Sequence, residues 1–374
     1  MHDRRIFDTF LLSDTLISID FSTPSKIMKQ QKILNLIAVC ASALLLAGCS
    51  DTESAAYKAA QALSSGDFET AGAVADSAIK ATGGDKLMYR TKGIAALAAG
   101  DYDAATDALI SALYCSNGIV DQADIDISYY LAVAEYKKGD HESAKQTADA
   151  ILGMRPKDDA AYFLRGKINL AMGNKAEAVS DFDSTIKLAP DNYDRYVGIY
   201  EELHAKGYDA EAAGYLEKAM SAGNKLSDYN KGVLEYYLAS YTDARTDLEN
   251  ARKKGDSENL ALYLGRTYEA LGDSSYAMTI YEEYLRTDSS AGKIYEQLAA
   301  CRMQQGMYEE ALDTIETGLS LGGGEGMQGL MFDRVVAYER LYDFDSAKKS
   351  MDEYLAVFPD DEVAKRENVF LSSR

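Results

Sequence analysis

The chain has 374 residues and a formal net charge of -21, from 39 Lys and Arg against 60 Asp and Glu, with 27 Tyr, no Trp and four Cys. So acidic a balance excludes the basic footprint that nucleic-acid binding needs, and it excludes polybasic attachment to anionic lipid. Four cysteines are too few for a disulfide framework at this length, so stability has to come from packed apolar faces.

The N-terminal region carries a targeting pattern. Lys29 and Lys32 precede an apolar run from Ile33 to Leu46, which ends in Leu46-Ala47-Gly48-Cys49. That run is too short to span a bilayer comfortably and reads as a secretory signal, residues 28 to 48. Residues 1 to 27 fit it poorly, because they lengthen the basic segment and add Asp3, Asp8, Asp14 and Asp20; translation is expected to begin at Met28. Leu-Ala-Gly-Cys resembles the bacterial lipoprotein lipobox, and the resemblance implies cleavage before Cys49 and lipidation of its thiol. Residues 49 to 55 would then be the lipidated cysteine and a short polar tether, holding whatever follows close to the outer face of a cell membrane or outer membrane. The membrane contact expected is this anchor, with no spanning helix.

From the tether onward one alanine returns behind a glycine-acid turn, as in Gly66-Asp67-Phe68-Glu69-Thr70-Ala71 and Gly100-Asp101-Tyr102-Asp103-Ala104-Ala105. Ala71, Ala105, Ala144, Ala178, Ala212, Ala244, Ala277, Ala311 and Ala347 lie 32 to 39 residues apart. Equal spacing over most of a chain is the mark of stacked units, each covering its neighbour's apolar face. Each copy fits a helix A, a tight turn and a helix B, with small residues where the two helices approach. The fourth shows the order best, with Tyr162, Gly166, the Gly173-Asn174 turn, Ala178, Phe182 and Pro190.

These residues resemble the tetratricopeptide repeat family, whose pattern is an aromatic at position 4, Gly or Ala at 8, an aromatic at 11, Gly at 15, Ala at 20, an aromatic at 24, Ala at 27 and Pro at 32. Position 8 is Ala59, Gly93, Ala132, Gly166, Gly232, Gly265 and Ala299, but Tyr200 in copy five and Val335 in copy nine. Position 27 is Tyr284, Gly318 or Tyr354 in the last three copies, where altered packing is expected. The resemblance implies an all-α, right-handed superhelical α-solenoid of about nine helix-turn-helix repeats over residues 56 to 359, with residues 360 to 374 as a C-terminal capping helix. An insertion around Gly118 to Gln122 is expected to lengthen a helix or a turn.

Chemistry-bearing constellations are sparse. His2, His141 and His204 have no ligand-spaced partners, which argues against a closed metal site. Cys40 falls in the signal, while Cys115 and Cys301 are expected to be free thiols packed in helices. Gly324-Glu325-Gly326-Met327-Gln328-Gly329 has the letters of a dinucleotide fingerprint but neither a preceding strand nor a βαβ unit, and reads as an inter-repeat linker. No enzyme activity, cofactor or metal is expected.

The resemblance further implies that helix A positions 5, 9 and 12 line a concave groove. Here those positions include Arg90, Tyr129, Val133, Tyr136, Phe163, Lys167, Tyr229, Val233, Tyr236 and Arg266. Tyrosines there either bind a ligand or pack between neighbouring repeats. The Lys and Asn clamp with which some related repeats grip a peptide carboxylate is absent from these positions. The expected function is a non-catalytic scaffold that gathers protein or peptide partners of the bacterial envelope. The alternative is a surface receptor whose tyrosines stack on glycan or hold peptide. The sequence leaves the oligomeric state open.

Overall fold

A computed structural model describes residues 51–64, 66–116, 118–221, 226–321, 326–359 and 361–373. The lipobox, Cys49 and the Met28 start lie outside the described residues. Within them there are nineteen α-helices and no strand, the all-α architecture of an α-solenoid.

The chain divides into two compact units, one ending at Arg195 and one running from Tyr196 to the C-terminus. The first holds the hairpins α1 (Asp51–Ser64) with α2 (Phe68–Thr82), α3 (Lys86–Ala98) with α4 (Tyr102–Tyr114), α5 (Gln122–Lys138) with α6 (His141–Met154), and α7 (Asp159–Ala171) with α8 (Lys175–Leu188). Helix α9 (Tyr193–Ala205) straddles the division. The second unit continues with α10 (Asp209–Met220), then pairs α11 (Asp228–Tyr237) with α12 (Tyr241–Arg252), and α13 (Glu258–Ala270) with α14 (Ser274–Thr287). After these come α15 (Gly292–Gln304) with α16 (Tyr308–Ser320), α17 (Met327–Arg340) with α18 (Phe344–Val357), and a last helix α19 (Glu362–Leu371). The inserted residues before α5 form a turn capped by Asp121, and α5 runs to 17 residues where most A helices have 13.

The glycine-acid signature is the turn itself. Gly66, Gly100 and Gly139 take φ of 74°, 76° and 86°, a left-handed geometry that glycine adopts without a Cβ penalty. The following Asp67, Asp101 and Asp140 then accept the backbone N–H three residues on, starting helix B. In two hairpins the turn imposes the same geometry on a residue with a side chain, Ala239 at φ 57° and Tyr342 at φ 61°.

Every one of the nine repeat alanines is fully buried. Positions 8 and 24 exchange volume across the hairpin. Gly93 faces Leu109, Gly166 faces Phe182, Gly232 faces Leu248 and Gly265 faces Tyr281, each so close that an added Cβ would lie 2.2 to 2.6 Å from the partner side chain. Where position 8 is Ala59 or Ala132, position 24 is the smaller Ala75 or Ala148, all four fully buried. At position 27 Tyr284 and Tyr354 are buried, and Gly318 opens the space that Tyr295 and Leu330 occupy.

A second regularity is ionic. The residue before position 8 is a cation in four repeats, and each is paired with acids on helix B. Lys92 reaches Asp76 at 2.7 Å, Arg165 reaches Asp149 and Asp181 at 2.6 Å each, and Lys231 reaches Asp247 at 2.6 Å. Arg334 pairs with Glu316 and Glu353. Asp76, Asp149 and Glu316 all lie five residues after the repeat alanine of the preceding hairpin, so the cation ties successive hairpins in a fixed register.

The last helix is docked by both apolar and polar groups. Ala364 and Leu371 are buried against Met331, Phe332 and Tyr354, and Tyr354 donates its hydroxyl to Asp361 at 2.7 Å, the same aspartate that caps α19. Glu339 on α17 meets Glu367 on α19. Burial first, and then the charge and hydrogen bond of Glu367, push the Glu339 carboxyl up to about 7, against a smaller pull from Arg340. The folded state therefore holds this proton more tightly than the unfolded chain. Its contribution is complete below the ordinary carboxyl pKa near 4.5 and is lost as pH rises through about 7. Amide exchange in α19, corrected for its intrinsic pH dependence, is expected to speed up between about pH 5 and pH 8, and Glu339→Gln is expected to flatten that rise. Equal profiles in the two proteins would remove this pair from the docking of α19.

Candidate functional site

The predicted helix A residues of the first unit are largely used between repeats. Arg90 on α3 holds Asp126 of α5 through Nε at 2.6 Å and lies over the Tyr130 ring at 5.4 Å. Tyr129 donates its hydroxyl at 2.6 Å to Asp158, which also caps α7, and burial together with that carboxylate raises its pKa. Tyr136 is half-buried, its ring 5.3 Å from that of His141. Phe163 and Lys167, expected on an open groove, are buried at 6% and 7% exposure. The Phe163 ring takes the Lys167 ammonium at 5.6 Å and the Arg195 guanidinium at 4.9 Å, so its π-face is already occupied by cations. Val133 is buried as well.

The second unit brings the remaining predicted residues, Tyr229, Tyr236 and Arg266, into one aromatic cluster. Tyr236 lies 5.4 Å from Tyr237, 5.8 Å from Tyr241 and 5.8 Å from Tyr263, ring centroid to centroid. Tyr229 approaches Tyr263 edge-on at 6.5 Å, and Tyr200 meets Tyr237 at 5.3 Å while stacking on His204 at 5.4 Å. Edge-to-face contacts at these separations are the favoured arrangement for aromatic rings. Helices α9, α11 and α13, the A helices of three successive repeats, supply all of these rings except those of His204 and Tyr241, at the end of α9 and the start of α12.

A directed hydrogen-bond chain runs through the cluster. Tyr237 donates to Glu201, so its oxygen receives the proton of Tyr263, whose hydroxyl is 3.1 Å away. Burial raises the pKa of both phenols, followed by the neighbouring phenol for Tyr237 and by Glu201 for Tyr263. The chain Tyr263 to Tyr237 to Glu201 is thus neutral phenol throughout and ends on a carboxylate. Arg266 sits beside it, half-buried, ringed by Tyr236, Tyr237, Tyr263 and Tyr281, with its Nε donating to Gln297 of α15 at 3.2 Å.

Tyr200, Glu201, Tyr237, Tyr263 and Gln297 were not on the predicted stripe. Tyr237 and Tyr263 stand one residue beside the positions the repeat pattern assigns to the groove. Tyr200 occupies position 8, where a small residue belongs, and that departure was the readable signal that copy five had exchanged close helix packing for an aromatic surface.

No group of three or more His, Cys, Asp or Glu side chains among the described residues could hold a metal ion, and no described helix is long and apolar enough to cross a membrane. Cys115 is exposed and Cys301 buried, and both are free.

Three family models match parts of the chain: the Fis1 C-terminal tetratricopeptide repeat over residues 125–174, and two tetratricopeptide repeat models over residues 159–192 and 229–292. They support the tetratricopeptide repeat family. The chain is similar to a DnaJ homolog subfamily C member 7 homolog of Schizosaccharomyces pombe, 25% identical over 191 residues, which are 50% of this chain and 36% of that protein. It is also similar to the mitochondrial import receptor subunit TOM70 of Homo sapiens, 22% identical over 182 residues, 46% of this chain and 30% of that one. The matches thus span about a third of each relative's own length. Among solved structures, yeast Tom70 shares the fold with a TM-score of 0.51 at 14% identity, over 97% of this chain and 88% of that one.

Proposed function

We propose that this chain of tetratricopeptide-type hairpins is a non-catalytic interaction scaffold, anchored through lipid at Cys49 to the outer face of a bacterial membrane, which holds segments of partner proteins against its A helices. The observation that carries the reading is the tyrosine cluster of the second unit. Tyrosine combines apolar area with a hydroxyl and loses little conformational entropy on contact, so a face drawn from successive A helices suits an extended segment. The likeness to a protein named as an import receptor, over repeats of the same kind, supports protein recognition over chemistry. The anchor rests on the basic, apolar and Leu46-Ala47-Gly48-Cys49 order of the N-terminal sequence.

The test is made in living cells of the source. A photo-crosslinking residue is placed at Tyr236 and, separately, at Ser275 in the α13–α14 turn, in chains with Cys49 or with Cys49→Ala. Protein adducts specific to Tyr236, with the Cys49→Ala chain released from the membrane fraction, are expected. Glycan adducts at Tyr236, or none above those at Ser275, would overturn the scaffold. Full membrane retention of the Cys49→Ala chain would overturn the anchor.

A further inference from the structure

Arg266 differs from the other arginines and lysines of its helix face in what it lacks. Lys231, Arg302 and Arg334 in the same unit each reach one or two carboxylates. Among the described residues Arg266 has no carboxylate at ion-pair distance. Its one hydrogen bond is from Nε to the neutral side-chain oxygen of Gln297, and its other ionisable neighbours are tyrosines. In a chain with 60 acidic residues, a guanidinium kept apart from all of them is a conspicuous exception.

The fork that remains is chemically specific. Gln297 uses Nε, which leaves the two terminal nitrogens of the guanidinium, and these match the two oxygens of a carboxylate in a bidentate pair. Tyrosine walls lower the local polarity and strengthen such a pair. They also offer apolar area to whatever carries the acid. Phosphate and sulfate groups would bring more negative charge into the field of a protein at -21, whereas one carboxylate brings the least. Glu201 stands at the far end of the hydroxyl chain Tyr263 to Tyr237, so a second acid placed there would be repelled, while a cationic or neutral group would be accepted.

We infer that Arg266, with Gln297 fixing its orientation and Tyr236 and Tyr263 as walls, is a recognition site for a single peptide carboxylate borne next to apolar or aromatic residues and without a neighbouring acid. The inference rests on the proposed scaffold and names what its second unit reads in a partner. A side-chain carboxylate and a C-terminal carboxylate share this chemistry.

The test uses the full chain on an immobilised array of nine-residue peptides with varied flanks. Each peptide is made with central Glu or central Gln, and each of those with a free or an amidated C-terminus. Peptides with one carboxylate are expected to bind about tenfold or more tightly than their neutral counterparts, because a hydrogen-bonded charge is being matched or left unmatched. Preference in the central pair assigns the site to a side chain, and preference in the terminal pair assigns it to a C-terminus. Arg266→Gln is expected to erase the preference and Arg266→Lys to keep part of it, with the helical signal of both compared with the parent. Peptides that bind with no preference for acid, or a preference that survives in Arg266→Gln, would overturn this site and leave the scaffold standing. If peptides of every kind fail to bind while crosslinks at Tyr236 persist, the carboxylate site falls. Loss of the crosslinks would instead bring down the scaffold reading beneath it.

Discussion

Replacing Gly265 by alanine is expected to destabilise the α13–α14 hairpin by about 1–3 kcal/mol, a large effect for one added methyl group. The new Cβ would lie 2.2 Å from Cε1 and 2.3 Å from Cζ of Tyr281. That ring cannot swing aside, because Tyr281 is fully buried and its hydroxyl donates to Glu269 at 2.6 Å. Either the hydrogen bond breaks or the two helices separate, and both costs fall on this one hairpin. Gly214 in α10 is the matched control, since a Cβ there meets nothing within 4 Å. Gly214→Ala is expected to be neutral or to stabilise by about 0.5–1 kcal/mol, as glycine is the poorer residue inside a helix. Hydrogen exchange reports each hairpin separately, which suits an array whose repeats need not unfold together. Faster exchange confined to α13, α14 and their immediate neighbours is the expected signature. Unchanged exchange in Gly265→Ala would show that the hairpin yields at no cost, and the volume exchange between positions 8 and 24 would lose its meaning.

The same pair shows which parts of the fold were legible in the sequence. Ala71, Ala105 and their seven counterparts were found by spacing alone, and all nine are fully buried, because a position that must be small in every copy leaves a periodic trace. The glycine-acid turns were legible for a similar reason, since a left-handed residue followed by an N-cap restricts two adjacent residues at once. So was the final helix, expected near residues 361 to 371 and found at Glu362–Leu371. What escaped was pairing between copies. Lys167 and Phe163 stand at groove positions by register, but Arg195 from a later helix closes over the ring, and no single repeat contains that contact. Tyr237 and Tyr263 escaped because the two rings that build the hydroxyl chain lie one residue off the stripe, where the repeat pattern predicts packing.

Asp181 is the strongest case of a residue whose weight the sequence concealed, and Asp181→Ala is expected to cost about 3 kcal/mol. A lone aspartate in helix B reads as a solvated face, yet its side chain is only 6% exposed. Its two oxygens take Nη2 and Nε of Arg165 at 2.6 and 3.0 Å, and Nδ2 of Asn169 adds a third bond at 2.9 Å. Arg165 also holds Asp149 of the preceding hairpin at 2.6 Å, so one carboxylate orients the cation that joins α6, α7 and α8. Removing Asp181 leaves a charged group and an amide without partners in a setting where water replaces them poorly, and that penalty exceeds whatever the pair adds to stability when intact. The distinction can be measured. Combining Asp181→Leu with Arg165→Met and Asn169→Leu removes every member of the network together, and is expected to recover most of the loss seen in Asp181→Ala. The exposed Lys348–Asp352 pair serves as the contrast, because deleting Asp352 is expected to change stability by less than about 0.5 kcal/mol and to lose even that at high salt. Should the triple variant unfold as readily as Asp181→Ala, the ions themselves stabilise this junction, and repeats three and four are held together by charge more than by apolar contact.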